Sequence, residues 1–210
     1  MFAELTSRRE DDVELDVLVW RLSRTMLCAA TTVVGGGVGL RDWALNAEVT
    51  HDYDRVDVEQ HVAEIAETFK LRGSGVGMLT ATQVQRRQRS SDSGVEAEVT
   101  VGISHPAWAA AEDDDNGPAN STGTINIVVF LPVLLGEGAL LNALTTATEA
   151  KSQALWDARV AATGTPSDAV CVFCPVDGDS APFGGPRSSW GSRLARAVHQ
   201  AVLAGVTAPA

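Results

Sequence analysis

The sequence predicts a single α+β (or α/β) domain, in which a mixed β-sheet is flanked by helices. Three observations predict this class. The first half of the chain is rich in strand patterns, while the second half runs strand, helix, strand, helix. The chain has 210 residues, 45% of them hydrophobic, which is enough for one sizeable core. We expect residues 16–210 to form this domain and the charged residues 1–15 to be frayed.

Residues 16–49 contain three extended segments, and a glycine-rich stretch separates the second from the third. Residues 16–23 (DVLVWRLS) and 28–34 (CAATTVV) each have the composition of a strand. The glycine-rich residues 35–39 (GGGVG) interrupt the pattern, and residues 41–49 (RDWALNAEV) resume it. Asn46 lies near the end of this third extended segment.

A helix is predicted next, over residues 57–71, with Asp57 as its N-cap. Its apolar residues fall at helical spacing: Val58, Val62, Ile65, Ala66 and Phe69. Residues 75–81 (GVGMLTA) then predict a short buried strand that contains Thr80, and residues 95–103 (VEAEVTVGI) alternate as a half-buried strand does.

The second half begins after a polar segment. Residues 112–123 contain no apolar anchor, which favours a solvated connector over a metal site. Residues 124–132 (TINIVVFLP) are apolar on both faces and predict a central strand. Residues 137–158 form the longest predicted helix.

Another central strand is predicted over residues 168–175 (DAVCVFCP). The closing helix spans residues 188–205, with Ser188 or Ser189 as its cap and Gly205 at its end.

Charge and composition exclude several function classes. A net charge of −11 argues against nucleic acid and against anionic membrane surfaces as partners. The longest apolar run, residues 124–135, is too short to cross a membrane, and the amino-terminal residues lack a secretory signal pattern. Three cysteines are a low, odd number, so a reduced cytoplasmic location is expected.

Lys151 is one of only two lysines in the chain and lies in the longest predicted helix. At about 100° per residue, it falls on the same side as Leu140, Leu144 and Leu155, and about 160° away from Glu149. Its stem could cover apolar surface while its ammonium reaches water. Alternatively, the ammonium enters a cleft as a base or a charge clamp.

The segment after this helix, residues 161–170 (AATGTPSDAV), is rich in hydroxyls. Thr163, Thr165, Ser167 and Asp168 are typical turn and cap residues. The functional alternative is a loop that delivers a nucleophile beside Lys151, because lysine-activated hydroxyls cleave amides.

Asn126 lies in an otherwise apolar strand and needs hydrogen-bond partners. It is either structural or a donor to a carbonyl oxygen.

Metal, redox and nucleotide sites have weak support. The four histidines show no HExxH or HxH spacing, so no metal site is predicted. Cys171 and Cys174 point to opposite faces of one strand, which argues against a redox or metal pair, and Cys174 is better explained as a core residue than as a nucleophile. The glycine-rich segments match no phosphate-binding motif.

A family resemblance rests on several segments in order: GGGVGLRDWALNAEV, GVGMLTATQV, TVGISHPAWA, GTINIVVFLP, NALTTATEAKSQAL, ATGTPSDAVCV and FGGPRSSWGSRLARAVHQAV. Together, over about residues 20–205, they resemble the adenosylcobinamide amidohydrolase family of corrinoid salvage. The combination of GTIN, ATEAK and ATGT followed by DA is specific. His51 and His105 depart from the family pattern, which weakens the case for an obligatory catalytic histidine.

The resemblance implies an enzyme that hydrolyses the amide between the corrin ring and the aminopropanol arm, giving adenosylcobyric acid and 1-amino-2-propanol. It implies no required cofactor, since the cobalt belongs to the corrinoid substrate, and it is compatible with assembly into a homo-oligomer. Residues within these segments are expected to bind substrate: Asn46, Thr80, His105, Thr124, Asn126 and Thr163. Trp43, Trp108 and Trp190 flank loops and either pack structurally or contact a corrin face.

Two mechanisms stay open at this point. In one, Lys151 activates Thr165 or Ser167 and an acyl-enzyme forms. In the other, Glu149 or Asp168 activates water while Lys151 or Asn126 stabilises the oxyanion. Because Glu149 and Lys151 lie about 160° apart around the helix, we favour a catalytic group made of Lys151, Asp168 and a hydroxyl of the loop that follows the helix. The alternative functions are a corrinoid-binding protein without turnover and an amidase for other small amides.

Overall fold

The computed structural model describes residues 1–112 and 123–208, which contain ten strands and three α-helices. The strands are β1 (Glu4–Glu10), β2 (Val13–Ala30), β3 (Gly37–Glu48), β4 (Gly75–Thr80), β5 (Gln88–Asp92), β6 (Val95–Val101), β7 (Ile125–Phe130), β8 (Leu134–Leu135), β9 (Ala169–Cys174) and β10 (Ser180–Ala181). The helices are α1 (Val58–Thr68), α2 (Glu137–Asp157) and α3 (Ser189–Thr207). Most of the predicted connector at residues 112–123 lies outside the described residues.

Eight strands form one mixed sheet. Its order is β4-β3-β2-β9-β7-β6-β5, and β1 pairs separately with β2. The pairs β3–β4 and β7–β9 are parallel, while the other neighbours are antiparallel. The predicted mixed sheet flanked by helices is therefore confirmed.

Strand β2 folds the sheet over itself. Its pairing with β3 is irregular between Arg21 and Met26, and only its last residues pair with β9. On its first half, the Trp20 indole donates to the buried Glu98 carboxylate of β6 at 3.2 Å, although three hydrogen-bonded steps separate the two strands in the sheet. The two halves of the sheet thus face each other as two layers.

Side-chain alternation divides the core into three clusters. In β7, Ile127 and Val129 face α2 and α3, whereas Val128 and Phe130 face the other sheet layer. On the far side, α1 covers β2, β3 and β4 through residues such as Val62. The order of layers is therefore helix, sheet, sheet, helix, and the predicted burial of both faces of β7 is confirmed.

The amino-terminal segment differs from the prediction. Residues 4–10 are not frayed but form β1, which pairs along its whole length with β2. The backbone of Ala3 donates to Glu98 at 2.7 Å, and the buried Arg8 forms an ion pair with Glu10. Charge alone suggested fraying, but backbone pairing with β2 and the hydrogen bonds from Ala3 to Glu98 and from Arg8 to the Glu48 carbonyl hold the segment. The two strands predicted over residues 16–34 are likewise one long strand, β2, ending at Ala30.

Helix α2 buries alanines more than leucines. Its buried face consists of Leu140, Ala143, Thr146, Ala147, Ala150, Lys151, Ala154 and Leu155. Small side chains bring α2 close to α3 and to the sheet. Thr146, which the wheel assigned to the polar side, is buried and donates to the Gly184 carbonyl at 3.1 Å. Within the described residues, no helix is long and apolar enough to cross a membrane.

Candidate active site

The predicted site residues gather at one end of the two sheet layers. Strands β7 and β9 are parallel and start side by side, with Asn126 opposite Ala169. Thr124 immediately precedes β7 and Asp168 immediately precedes β9. Because parallel neighbours begin at the same edge, the residues before them meet there. The carboxyl-terminal half of α2 supplies Lys151 at this edge, on the buried side of the helix.

Lys151 and Asp168 form an ion pair. The Lys151 ammonium donates to Asp168 Oδ2, and only 6% of Lys151 is exposed. A Cβ added at Gly164 would overlap both partners, so glycine at this position is what lets the loop pass over the pair. The snorkelling explanation of Lys151 is therefore wrong: its charged end is buried against a carboxylate.

Asp168 is held by four donors within the described residues. Oδ2 accepts from Lys151 and from the Thr165 backbone N–H (3.1 Å). Oδ1 accepts from the Ile125 backbone N–H (2.9 Å) and lies 2.5 Å from Thr165 Oγ1. A carboxylate has about four lone-pair positions, so each is engaged. Asp168 thereby fixes the loop, the start of β7 and α2 to one another.

Two hydroxyls contact the Gly123 carbonyl, and a third contacts one of these two. Thr165 Oγ1 lies 2.7 Å from this oxygen and Ser167 Oγ lies 3.1 Å from it. Ser167 Oγ is also 2.6 Å from Thr124 Oγ1. Ser167 is exposed, Thr165 is half-buried and Thr124 is buried. The loop therefore presents two hydroxyls toward solvent, one of which contacts a carboxylate.

Asn46 and Asn126 tie the two sheet layers together behind these hydroxyls. The Asn126 side-chain amide donates to Asn46 Oδ1 at 2.9 Å, and Asn46 donates to Thr100 Oγ1 at 3.0 Å. All three are buried, as is Thr80, whose hydroxyl accepts from the Thr82 backbone N–H at 3.1 Å. Asn46, Thr100 and Asn126 thus form a buried hydrogen-bonded link between the layers, and the predicted substrate-binding role of Asn46, Thr80 and Asn126 stays a prediction.

Thr163 joins the loop to the segment after β6. Its hydroxyl accepts from the Ala109 backbone N–H at 2.8 Å, and its own N–H donates to the Ala107 carbonyl at 3.0 Å. Ser152 of α2 donates to the Thr163 carbonyl at 3.0 Å. The predicted binding role of Thr163 stays a prediction, while its structural role is to clamp two loops to the helix.

Two of the predicted site residues, Glu149 and His105, do not belong to this hydrogen-bonded cluster. Glu149 is exposed on another side of α2 and is not brought to the Lys151–Asp168 pair, as the wheel predicted. His105 is half-buried next to Gly123, and its Nδ1 is buried without a hydrogen-bond partner among the described residues. A buried polar atom without a partner calls for a ligand or a water. His105 therefore remains a candidate contact for substrate.

The cysteines are inert core residues. All three are buried and unpaired. Burial raises the pKa of the Cys28 thiol to about 12 and also raises the pKa of Cys171 and of Cys174. The interpretation of Cys174 as a core residue is consistent with this. Across the described part of the chain, no three His, Cys, Asp or Glu side chains gather as a metal site would require.

Sequence reasoning missed Gly123, Ser152 and Gly164. Gly164 stands in the ATGT motif, and that motif was the available signal. The roles of Gly123 and Ser152 depend on contacts between loops far apart in sequence, so no local pattern shows them.

Trp43 is buried beside Gly73, and Trp190 stacks with Arg193, so neither faces the cluster.

Comparisons with known proteins agree with one another. Residues 2–209 match the sequence profile of the CbiZ family, described as adenosylcobinamide amidohydrolase. A Methanosarcina mazei protein named adenosylcobinamide amidohydrolase is 28% identical over 85% of this chain and 89% of its own length. A Halobacterium salinarum protein of the same name is 32% identical over 78% of this chain and 68% of its own length.

One solved structure supports the fold. The crystal structure of the PH0078 protein from Pyrococcus horikoshii OT3 aligns with a TM-score of 0.51 and 12% identity, covering 91% of this chain and 76% of that chain. At this identity the likeness shows the fold alone.

Proposed function

The chain belongs to the adenosylcobinamide amidohydrolase family, and we propose that it hydrolyses the amide between the corrin ring and the aminopropanol arm of adenosylcobinamide. The products are adenosylcobyric acid and 1-amino-2-propanol, and the reaction serves corrinoid salvage. The observation that carries the chemical part of the proposal is the continuous chain of contacts from Lys151 through Asp168 to Thr165.

The chain of contacts has the arrangement of an activated nucleophile. Such a site needs a hydroxyl bonded to a base, and a third group that orients the base. Thr165 Oγ1 lies 2.5 Å from Asp168 Oδ1, and Lys151 holds the other carboxylate oxygen. In this assignment Asp168 receives the Thr165 proton, and the Lys151 ammonium positions the carboxylate. Lys151 does not contact the hydroxyl, so it acts through Asp168.

The water-mediated alternative has less support. Both of its bases were carboxylates, Glu149 and Asp168. Glu149 points away from the cluster, and Asp168 would have to release one of its four donors before it could accept from a water. Thr165 needs no such exchange, because its hydroxyl already contacts the carboxylate. This difference favours covalent catalysis.

The proposed reaction balances without a further reagent. The Thr165 oxygen bonds to the substrate carbonyl carbon while its proton passes to Asp168. The C–N bond then breaks, and 1-amino-2-propanol leaves with that proton. Water hydrolyses the resulting ester, which frees adenosylcobyric acid and restores the hydroxyl. His105 is proposed to contact the substrate near this point, because its Nδ1 has no other partner among the described residues.

No bound metal or cofactor is part of the proposal, and cobalt enters only within the corrin ring of the substrate. The proposed location is the cytoplasm, since three unpaired thiols suit a reducing compartment. Assembly into a homo-oligomer stays a prediction.

The proposal is tested by incubating the purified protein with adenosylcobinamide and following adenosylcobyric acid by mass. Product formation that depends on enzyme concentration supports it. A protein that binds adenosylcobinamide, seen as a shift in corrinoid absorbance, yet yields no product at high enzyme concentration is a carrier or sensor. A protein that cleaves simple N-alkyl amides and leaves adenosylcobinamide intact is a general amidase.

A further inference from the structure

A cavity of about 490 Å³ opens beside the candidate active site. It is lined by Trp108, Trp156, Asp157, Arg159, Val160 and Ala161. Trp108 is 47% exposed and Trp156 is 73% exposed, whereas Trp20 is fully buried in the core. The volume lies within the range of small-molecule sites, which usually combine apolar walls with a few polar groups. Two large indoles exposed at one cavity are a costly arrangement unless they meet a ligand.

The segment carrying Trp108 is attached directly to the reactive loop. Ala107 forms a β-bridge with Gly164, and Ala109 donates to Thr163. Gly164 in turn lies against the Lys151–Asp168 pair. The cavity and the proposed nucleophile are therefore on adjoining parts of one clamped assembly.

Arg159 places a cation at the wall of this cavity. Helix α2 ends in a Schellman motif, in which Val160 N–H bonds the Leu155 carbonyl and Arg159 N–H bonds the Trp156 carbonyl, both at 2.9 Å. The left-handed residue of this motif is usually glycine, but here it is Arg159 with a φ of 61°. An arginine in that conformation is strained. Lys70 ends α1 in the same motif with a φ of 54°, so the conformation belongs to the helix end, and what Arg159 offers a ligand is a cation at the cavity wall.

We propose that this cavity binds the corrin macrocycle of the substrate. The proposal rests on the proposed function. The indoles of Trp108 and Trp156 cover the flat, largely apolar ring, and the Arg159 guanidinium donates to carbonyl oxygens of its peripheral amides. The ring is thereby held so that its aminopropanol arm reaches Thr165.

The test compares Trp108→Ala and Trp156→Ala with Phe183→Ala. Phe183 is a matched control, because it is an aromatic residue exposed to 69% that does not line the cavity. Affinity for cobinamide is measured by equilibrium dialysis, and KM and kcat are measured with adenosylcobinamide. Each tryptophan variant is expected to bind cobinamide at least about tenfold more weakly and to raise KM more than it lowers kcat, whereas Phe183→Ala stays at the wild-type values. Wild-type affinity in both tryptophan variants would overturn the proposal.

Arg159→Gly separates binding from stability. Glycine relieves the left-handed strain, so this variant is expected to keep or raise Tm while it weakens cobinamide binding. Unchanged binding overturns the role of Arg159. The dialysis also distinguishes this proposal from the proposed function: if the wild type binds cobinamide in the cavity but releases no amine, only the hydrolytic function fails. If it hydrolyses adenosylcobinamide and the tryptophan variants keep wild-type KM, only the corrin site fails.

Discussion

Lys151 and Asp168 form an ion pair that is almost completely removed from solvent and that joins α2 to the loop before β9. The pair has a stability consequence as well as a proposed catalytic one. Breaking a buried pair by removing one partner leaves the other charge uncompensated. The two consequences are separated by choosing variants that affect them differently.

Lys151→Met is expected to abolish turnover and to lower the free energy of unfolding by about 3–5 kcal/mol, because Asp168 stays buried without its cation. Urea denaturation and amine release measure the two effects. Glu149→Gln is the matched control on the exposed side of α2 and should change stability by less than about 0.5 kcal/mol. The double variant Lys151→Met/Asp168→Asn removes the buried charge but turns an amide N–H2 toward one of the two backbone N–H donors, so it should recover only part of the lost stability and no activity. Wild-type turnover in Lys151→Met would contradict the assignment.

Thr165→Val tests the nucleophile. Valine matches the shape of threonine without its hydroxyl, so kcat should fall by on the order of 10³-fold or more, as after the loss of a catalytic nucleophile. Thr165→Ser keeps a hydroxyl and should retain measurable turnover. Acid-quenched samples of the serine or wild-type enzyme should show a corrinoid acyl group on residue 165 by peptide mass. If Ser167→Ala abolishes turnover while Thr165→Val keeps it, the exposed hydroxyl is the nucleophile instead.

Gly164→Ala tests the fit of the loop over the ion pair. The added methyl overlaps Asp168 Oδ2 and Lys151 Nζ, and Asp168 is fixed by its other donors. We expect turnover to be lost and stability to fall by about 1–3 kcal/mol, the usual cost of overpacking. Gly138→Ala is the control, since a Cβ there meets open space in α2. A fully active Gly164→Ala protein would show that the pair need not keep this geometry.

The cysteines should resist alkylation in the folded protein. Burial raises the pKa of all three thiols, that of Cys28 to about 12, so iodoacetamide should modify none of them at pH 8 until urea is added. Unfolded thiols lose their protons near pH 8.5, whereas the folded ones keep theirs. The contribution of Cys28 to stability is therefore complete below about pH 8.5 and is lost as pH rises toward 12. Alkylation that removes activity without unfolding would implicate a thiol.

Local patterns predicted the parts of the site that depend on one element. Helical periodicity separated Glu149 from Lys151, and strand composition identified β7 and β9 as central. The motif order placed Asp168 and Thr165 in one loop. Each of these features can be predicted from the residues of a single helix, strand or loop.

Features that depend on distant contacts were not predictable. The folding of the sheet over itself follows from pairing of β2 with β9, more than a hundred residues apart. The buried face of α2 is centred on its alanines, because α3 and the sheet approach the helix closely. Thr146 therefore lies on the buried side and not on the exposed side that was predicted. The cavity between Trp108 and Trp156 exists only because the segment after β6 bridges to Gly164.

The most direct test measures the 1-amino-2-propanol released from adenosylcobinamide by wild-type protein, Thr165→Val and Glu149→Gln at equal concentration. We predict that wild type and Glu149→Gln release one amine for each adenosylcobyric acid formed, and that Thr165→Val releases almost none while remaining folded. Equal release by all three proteins would contradict the assignment of Thr165, and no release by the wild type would contradict the proposed hydrolysis itself.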